Sequence, residues 1–473
     1  MNRFFNASVI RQCKAALLPC VLTIGLACGG DVFAATALVS PGSRQLAMTT
    51  GSGPTYSVVK LGPNFGSCIN ASGQVAFNTR NGMSATAYFY NGGQFQNLGT
   101  LGGAGASASA INDFGQVVGV SNLAGRGHST LRPTTLMSGM PNVSSSEITC
   151  VPRRPSQIDD MAWLARNSIP TSRIGDGPIH AFLWTPTKGM VDLGTLYGGR
   201  STAVGINNAE EVIGYSYSPT VPIFQVQGFY WSAASGMIDL GSASGIVTSP
   251  LAINDAGQVV GWALTGPHLA SAFLWTKAGG MVKLGGLDND SYAYATAINN
   301  KGQIVGLSRD DNFRMRVFSW TQASGMIDLG YVANLFYPQV NNLGQVLLPS
   351  SIWTSAGGKV DLGSLGGGNT TAAAINNMGQ VVGSTNDGFG RTRAFLWSST
   401  GGMVDLSTPD LPVDTPLQNA AAIADNGSIL ATSASNVTYL LIPNTRRITS
   451  TPAESFFQKS PFQRLAPKTL IFP

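Results

Sequence analysis

The sequence predicts an all-β protein, a β-propeller of about nine four-stranded blades with eight as the alternative. Three observations predict it: one string of residues returns along the chain, the strands around it are apolar on both faces, and the two ends of the repeat region complement each other. Charged residues are only 11% of the chain, and 58 of its 473 residues are glycine. This composition is typical of short strands and tight turns rather than of helices.

The recurring string is "AINDAGQVVG" at 252–261. In it the Asn254 side chain can hydrogen-bond the backbone two residues further on, and Gly257 can take the positive φ that closes a hairpin. Where Glu210 and Ala162 replace that glycine, we expect a cost of about 1 to 2 kcal/mol if the left-handed conformation is kept. The copies align on Ile69, Ile111, Ile158, Ile206, Ile253, Ile298, Val340, Ile375 and Ile423.

Each period reads as four short strands, such as "STAVGIN", "EVIGYSY", "GFYWS" and "GMIDLG". In the string "AFLW", Phe182 and Trp184 point to one face of the strand while Ala181 and Leu183 point to the other. Because both faces are apolar, each small sheet needs a cover on both sides. We expect neighbouring sheets, stacked face to face, to supply that cover, and the Phe and Trp side chains to form the core between blades.

The two ends of the repeat region complement each other. The chain begins with a lone fourth strand, "YSVVKLG" at 56–62, and its last copy ends at "VTYLLIP", 437–443, with no fourth strand following. An open stack of sheets would instead need polar caps at its ends. We therefore predict that the N-terminal strand completes the last blade and closes the blades into a ring.

Three motifs resemble the bacterial HAF-type extracellular repeat family: "HAFLW" at 180–184, "GMVDLGTL" at 189–196, and the string "INxxGQVVG". The resemblance covers residues 54–443, and it implies secretion and a β-propeller-like repeat domain. It brings no catalytic residues with it. The copies depart from the family pattern at the histidine, which is absent from most of them outside His180.

The copy at Ile158, "QIDDMAWLA", is worn, and it decides the number of blades. It lies in register within a gap between Ile111 and Ile206 that is twice the usual length. A structureless loop filling that gap would be uncommon in a compact domain. We therefore predict nine blades, and eight if this copy is extruded.

Residues 1–34 read as a secretion signal, with three basic residues before an apolar run and "VFA" before Ala35. We expect cleavage after Ala34, a linker at 35–53, and secretion to the outside or the cell surface, with the periplasm as the alternative. The apolar run is shorter than the roughly 18 residues of a membrane span, so we predict no transmembrane segment after signal removal.

The net charge of +5 is concentrated in the tail, 444–473, which contains five basic residues together with Pro and Phe. This tail is predicted to be disordered. The remaining body is close to neutral, which argues against nucleic acid as a partner because that requires a concentrated basic face. After signal removal Cys68 and Cys150 remain; they either pair in an oxidising compartment or stay buried as free thiols.

Candidate chemistry is sparse. The three histidines, His128, His180 and His268, do not form a cluster in the sequence, so neither a catalytic nor a metal site is predicted, and no cofactor. Single aspartates recur on the predicted outer strand, too far apart to act as a pair, at Asp192, Asp239, Asp328, Asp361 and Asp405. The strings "DNDS" (288–291) and "RDDN" (309–312) lack the full spacing of a calcium loop.

The leading hypothesis is a secreted, noncatalytic binding or scaffolding module, monomeric, with an extracellular protein or glycan as partner. Its binding loops would be those that vary most, at 120–132, 144–157, 216–226, 262–270 and 407–419, or the mouth of the channel. One alternative is a polysaccharide-acting hydrolase or lyase on a propeller scaffold, whose densest acidic patch is Asp288, Asp290, Asp310 and Asp311. The other alternative is a self-associating extracellular structural protein.

Overall fold

A computed structural model of the chain describes residues 54–444 except 64–66, 82–83, 125–177, 218–225, 242–246, 267–268, 334–335, 408–410, 412 and 414–415. The regular elements in these residues are strands and one short 3-10 turn at Leu287–Asn289. The predicted all-β class is therefore confirmed. The signal segment 1–34, the linker 35–53 and the tail after residue 444 lie outside the described residues.

The strands in chain order fall into eight groups. The first lone strand is β1 (Tyr56–Gly62), and unit 1 consists of β2 (Ser67–Ile69), β3 (Val75–Asn81), β4 (Ser84–Asn91) and β5 (Gln94–Asn97). Unit 2 consists of β6 (Gly102–Ile111), β7 (Val117–Leu123), β8 (Ile179–Thr185) and β9 (Gly189–Asp192). Unit 3 consists of β10 (Arg200–Ile206), β11 (Val212–Tyr217), β12 (Val226–Ser232) and β13 (Gly236–Asp239). Unit 4 consists of β14 (Thr248–Ile253), β15 (Val259–Gly266), β16 (Leu269–Thr276) and β17 (Gly280–Gly285).

The second half follows the same order. Unit 5 consists of β18 (Tyr292–Ile298), β19 (Ile304–Arg309), β20 (Met315–Thr321) and β21 (Gly325–Val332). Unit 6 consists of β22 (Gln339–Val340), β23 (Val346–Leu348), β24 (Ser351–Thr354) and β25 (Gly358–Asp361). Unit 7 consists of β26 (Gly366–Ile375), β27 (Val381–Asp387), β28 (Thr392–Ser398) and β29 (Gly402–Asp405). Unit 8 consists of β30 (Leu417–Ile423), β31 (Ile429–Ser433), β32 (Thr438–Pro443) and the first strand, β1.

Within each unit the strands pair antiparallel in chain order. Units 4 and 5 join into one eight-stranded sheet through a single parallel pair, Ala270 with Tyr292. An up-and-down sheet of four strands is the blade of a β-propeller. The described strands thus form propeller-like blades.

The last sheet takes its fourth strand from the beginning of the chain. β1 pairs antiparallel with β32, with Tyr56 opposite Pro443 and Lys60 opposite Tyr439. Asn444 then donates its backbone N–H to the Thr55 carbonyl at 2.8 Å. The predicted pairing between the first strand and the last sheet is therefore present.

Each sheet is covered on both faces, as the doubly apolar strands predict. Phe182 and Trp184 of β8 pack into a cluster with Phe89 of unit 1. Ala181 and Leu183 of the same strand pack into a second cluster with Phe229 of unit 3. The aromatic side chains of these strings therefore form core between neighbouring blades, as expected.

The worn third copy does not supply strands to the described part of unit 2. β7 pairs directly with β8, with Val117 opposite Trp184. Residues 125–177, which include Ile158, His128 and Cys150, fall between these two strands and outside the described residues. The count of nine blades consequently stays a prediction.

Two further expectations concern residues that the structure describes. Cys68 is buried and takes part in a disulfide bond. None of the helical segments in the described part of the chain has the length and apolarity to cross a membrane.

Candidate binding site at the asparagine turns

In units 1 to 7 the turn between the first and second strands is built around one asparagine at the same position. In unit 4 the Asn254 side-chain oxygen accepts the backbone N–H groups of Ala256 at 3.1 Å and Gln258 at 3.0 Å. The Gly257 N–H closes the turn on the Asn254 carbonyl at 3.0 Å, with Gly257 at φ +70°. Both predicted features of this hairpin, the side-chain hydrogen bond and the left-handed glycine, are confirmed.

The amide nitrogen of the same side chain links one unit to the next. Asn254 Nδ2 donates to Gln258 Oε1 at 2.7 Å and to the Asn299 carbonyl of unit 5 at 3.0 Å. Asn254 is only 3% exposed, so each of its hydrogen-bonding groups needs a partner. Asparagine alone among residues of this size offers both an acceptor and two donors, which explains its recurrence.

The same inter-unit hydrogen bond forms at seven successive junctions. Its donors and acceptors, at 2.9 to 3.0 Å, are Asn70 to Asn112, Asn112 to Asn207, Asn207 to Asn254, Asn254 to Asn299, Asn299 to Asn341, Asn341 to Asn376, and Asn376 to Ala424. The bond from Asn112 to Asn207 joins unit 2 to unit 3 across residues 125–177. The junction between these units therefore has the same chemistry as the others.

The residue after each asparagine makes a second link. Asp255 Oδ1 accepts the Asn208 N–H at 3.0 Å, and the Asp255 N–H is donated to Asn300 Oδ1 at 3.0 Å. The remaining links of this kind, at 2.8 to 3.0 Å, are Ala71 to Asp113, Asp113 to Asn208, Asn300 to Asn342, Asn342 to Asn377, and Asn377 to Asp425. Adjacent turns are thus tied twice.

Unit 8 is tied to unit 1 by different groups. Its turn has Ala424 at the asparagine position, and Asn426 acts in its place. The Asn426 backbone N–H donates to the Ala71 carbonyl at 3.1 Å, and its Nδ2 donates to the Ser72 carbonyl at 2.7 Å. The first strand of unit 1, β2, also contacts the first strands of both unit 2 and unit 8.

Unit 3 keeps the turn without the glycine. Glu210 stands there at φ +59°, so the left-handed conformation is adopted by a residue that bears a Cβ. Its carboxylate accepts a hydrogen bond from the Gln116 side chain of unit 2. Ala162, the other replacement, lies outside the described residues.

These turns surround one cavity of about 360 Å³. Each unit contributes three consecutive residues to its lining: the branched residue that ends the first strand, the asparagine (Ala424 in unit 8), and the residue after it. We call this the amide cavity. Its third-position residues are Ala71, Asp113, Asn208, Asp255, Asn300, Asn342, Asn377 and Asp425.

The surface of the amide cavity is mainly polar. The isoleucines and the one valine end strands, so they line the strand side, whereas the third-position residues lie in the turns. Asn208 Nδ2 donates to Asp113 Oδ2 at 3.0 Å, Asn300 Nδ2 to Asp255 Oδ2 at 2.7 Å, and Asn377 Nδ2 to Asp425 Oδ2 at 2.9 Å. The sequence displays Asp or Asn at this position in every unit except unit 1, which has Ala71, but only the fold reveals that the positions converge.

His180 and the five recurring aspartates form hydrogen bonds within their own hairpin or turn. His180 Nδ1 lies 2.9 Å from Asp192 Oδ1. The five recurring aspartates each accept the backbone N–H two residues further on, as Asp239 does from Gly241 at 2.8 Å; the other acceptors are Asp192, Asp328, Asp361 and Asp405. Four of them end an outer strand, as predicted, whereas Asp328 lies inside β21, Gly325–Val332. His268 lies outside the described residues.

The acidic patch is only partly assembled. Asp288 and Asp290 both contact the Arg316 guanidinium, at 2.7 and 2.8 Å. Asp310 instead pairs with Arg314 at 2.8 Å, and the hydrogen bonds from that residue hold the pKa of Asp310 below its usual value despite an opposing desolvation effect. Over the described ranges, no group of three His, Cys, Asp or Glu residues is placed to hold a metal ion.

The variable loops are at the other end of the strands. Because adjacent strands are antiparallel, the connections between second and third strands lie opposite the asparagine turns. Two of them present an exposed ring: Phe313, 71% exposed at φ +62°, and Phe389, 86% exposed. All five loops that we predicted to bind fall partly or wholly outside the described residues.

The chain matches no protein-family model and no curated protein. Its fold is similar to solved propeller-containing structures. A streptogramin B lyase is 7% identical with a TM-score of 0.38, covering 82% of this chain and 98% of that one. The β-propeller domain of the Trilobed protease from Pyrococcus furiosus, described as having an open velcro topology, is 9% identical with a TM-score of 0.39, covering 75% of this chain and 100% of that one. A puromycin hydrolase is 14% identical with a TM-score of 0.42, covering 78% of this chain and 58% of that one.

Proposed function

We propose that the chain is a secreted, noncatalytic binding module on a closed eight-bladed β-propeller. The observation that carries this proposal is the amide cavity, where every described unit contributes polar turn residues to one concave surface. Concave surfaces with convergent polar groups are where ligands usually bind. The partner is an extracellular protein or glycan.

Closure and the number eight are supported by contacts that return to the start of the chain. Unit 8 donates two hydrogen bonds to the turn of unit 1, and β1 completes its sheet. The bond from Asn112 to Asn207 joins units 2 and 3 directly, which favours eight blades over nine. Export is supported by the signal-like composition of residues 1–34.

The test is retention of the purified mature chain on arrays of extracellular proteins and glycans. Ala71→Trp fills the amide cavity from the one third position that has no polar side chain. Ala209→Trp, in an exposed turn position that does not line the cavity, is the matched control. We expect Ala71→Trp to abolish retention and Ala209→Trp to preserve it; no retention by the parent chain, or equal retention by both variants, would refute the proposal.

A further inference from the structure

We infer that the amide cavity takes an organic cation, an ammonium or guanidinium group. This inference rests on the proposed function, because it assigns a ligand class to the same cavity. It is argued from two features of the cavity: negative charge that the fold does not need, and hydrogen-bond acceptors left in surplus.

The charge at the third position is not required by the turns. Asp113 and Asp255 accept the preceding unit's N–H at 2.9 and 3.0 Å. Asn300 and Asn342 accept the equivalent N–H at 3.0 and 2.9 Å with an amide oxygen. Since asparagine makes the same link, the carboxylates add negative charge that stability of the link does not explain.

The cavity also has more acceptors than donors. A carboxylate offers about four acceptor sites, whereas in the described part of the chain Asp113 and Asp425 each accept hydrogen bonds from one backbone N–H and one side-chain amide. The amide donors of Asn208 are both directed at aspartates. In the described part of the chain, no Lys or Arg forms an ion pair with Asp113, Asp255 or Asp425. A ligand rich in donors and positive charge would complement this surface.

The shape of the lining favours an organic cation over a bare metal ion. The carboxylates belong to units 2, 4 and 8 and are separated by amide-bearing turns, whereas a metal ion needs several short, convergent ligands. The branched residues at the strand ends, such as Ile253 and Ile298, pack against the clusters between blades and contribute little to the lining surface.

The experiment is calorimetric titration of the full mature chain with 1,5-diaminopentane, with 1,5-pentanediol as the neutral probe of equal length. The test variant is Asp113→Asn/Asp255→Asn/Asp425→Asn, which converts the cavity to residues that its other units already use. The matched control is Asp361→Asn, because Asn97 fills the corresponding turn in unit 1, accepting the Gly99 N–H at 2.9 Å. Unchanged thermal melting of each variant verifies that it folds.

We expect the diamine to bind, the diol not to bind, the triple variant to bind the diamine at least tenfold more weakly, and the control to bind as the parent does. A second arm uses acetyl-Gly-Lys-Gly-amide against its norleucine counterpart: selective binding of the lysine peptide identifies a protein side chain as the source of the cation, and its absence identifies a free amine. Equal heats for diamine and diol, an unchanged affinity in the triple variant, or binding of Ca²⁺ in place of the diamine would overturn the inference. If the diamine fails while Ala71→Trp still abolishes array retention, the ligand class is wrong and the binding module stands.

Discussion

Seven junctions between the asparagine turns are alike, and the eighth is not. At a regular junction a buried asparagine makes four hydrogen bonds, as Asn254 does. At the junction between units 8 and 1 the exposed Asn426 makes the inter-unit hydrogen bonds, because the methyl side chain of Ala424 can form none. The turns alone therefore hold the eighth junction less firmly than the others.

The first strand compensates for this difference. Leu61 of β1 packs in one cluster with Phe77 and Tyr90 of unit 1 and with Leu440 of unit 8. On its other face, Val58 packs on the cluster shared by units 7 and 8. The junction between units 8 and 1 is thus stabilised by a strand and its apolar side chains rather than by the amide of a turn.

The largest expected effect is on Leu61, at the strand that secures the unlike junction. Leu61→Ala should lower the free energy of unfolding by about 3 kcal/mol through lost burial and a cavity. Leu240 holds the same place in the string "DLG" of unit 3 and is equally buried, so Leu240→Ala is the matched control. Urea unfolding should give the two variants the same loss; a negligible loss for Leu61→Ala alone would show that β1 does not secure the last sheet.

The next effect concerns a regular junction. Asn254→Ala should cost about 2 to 3 kcal/mol, because it leaves buried backbone groups of the turn and of unit 5 without partners. Thermal and urea unfolding measure the loss. Asn254→Asp should be no better, since a carboxylate cannot donate to Gln258 or Asn299; full stability of that variant would contradict the assignment of the amide donors.

The same change at the unlike junction should be milder. Asn426→Ala removes an exposed side chain, while the hydrogen bond from the backbone N–H of residue 426 to Ala71 remains. We therefore expect the free energy of unfolding to fall by about 1 kcal/mol. The ratio to Asn254→Ala, measured under one set of conditions, sharpens the comparison. A loss as large as that of Asn254→Ala would show that the turn, rather than β1, stabilises the junction between units 8 and 1.

A small gain is expected in unit 3. Glu210→Gly relieves the left-handed strain, worth about 1 kcal/mol, and loses the hydrogen bond from Gln116. We expect a net stabilisation below 1 kcal/mol in urea unfolding. Destabilisation would mean that the Gln116 contact outweighs the backbone strain.

The smallest expected effect is on stability at alkaline pH. Burial raises the pKa of Tyr56 in β1 to about 12. Because the folded pKa is above the ordinary value near 10, the stabilising effect of the neutral phenol is complete below pH 10 and is lost as the pH rises through 12. Tyr56→Phe should therefore lose less stability than the parent between pH 10 and 12, as measured by urea unfolding; identical pH profiles would contradict this.

The sequence predicts much of the fold because its signals are local. The turn of Asn254 and Gly257 and the two apolar faces of "AFLW" follow from hydrogen-bonding capacity and strand alternation, and both are confirmed. The sequence also shows that segment 56–62 is a spare fourth strand and that the last copy, which ends at 437–443, lacks one. The pairing of β7 with β8 is not visible, because a repeat in register does not reveal which strand it pairs with.

The amide cavity escapes sequence reasoning for a related reason. Asp113, Asp255 and Asp425 each look like an ordinary turn residue next to an asparagine. Their convergence depends on how the eight units are arranged, which no single copy encodes. The contact of Arg316 with Asp288 and Asp290 is likewise a product of packing between units 4 and 5.

The central claim, that the first strand joins the last unit, is tested most directly by cross-linking. Ser57 lies opposite Ile442 in the pairing of β1 with β32, so the variant Ser57→Cys/Ile442→Cys should form a disulfide on mild oxidation, identified by mass spectrometry of the linked peptides. Ser57→Cys/Ser398→Cys, which pairs β1 with a strand of unit 7, should form none. A linked 57–442 pair is the predicted result, and the absence of that link in the folded, oxidised protein would contradict the account.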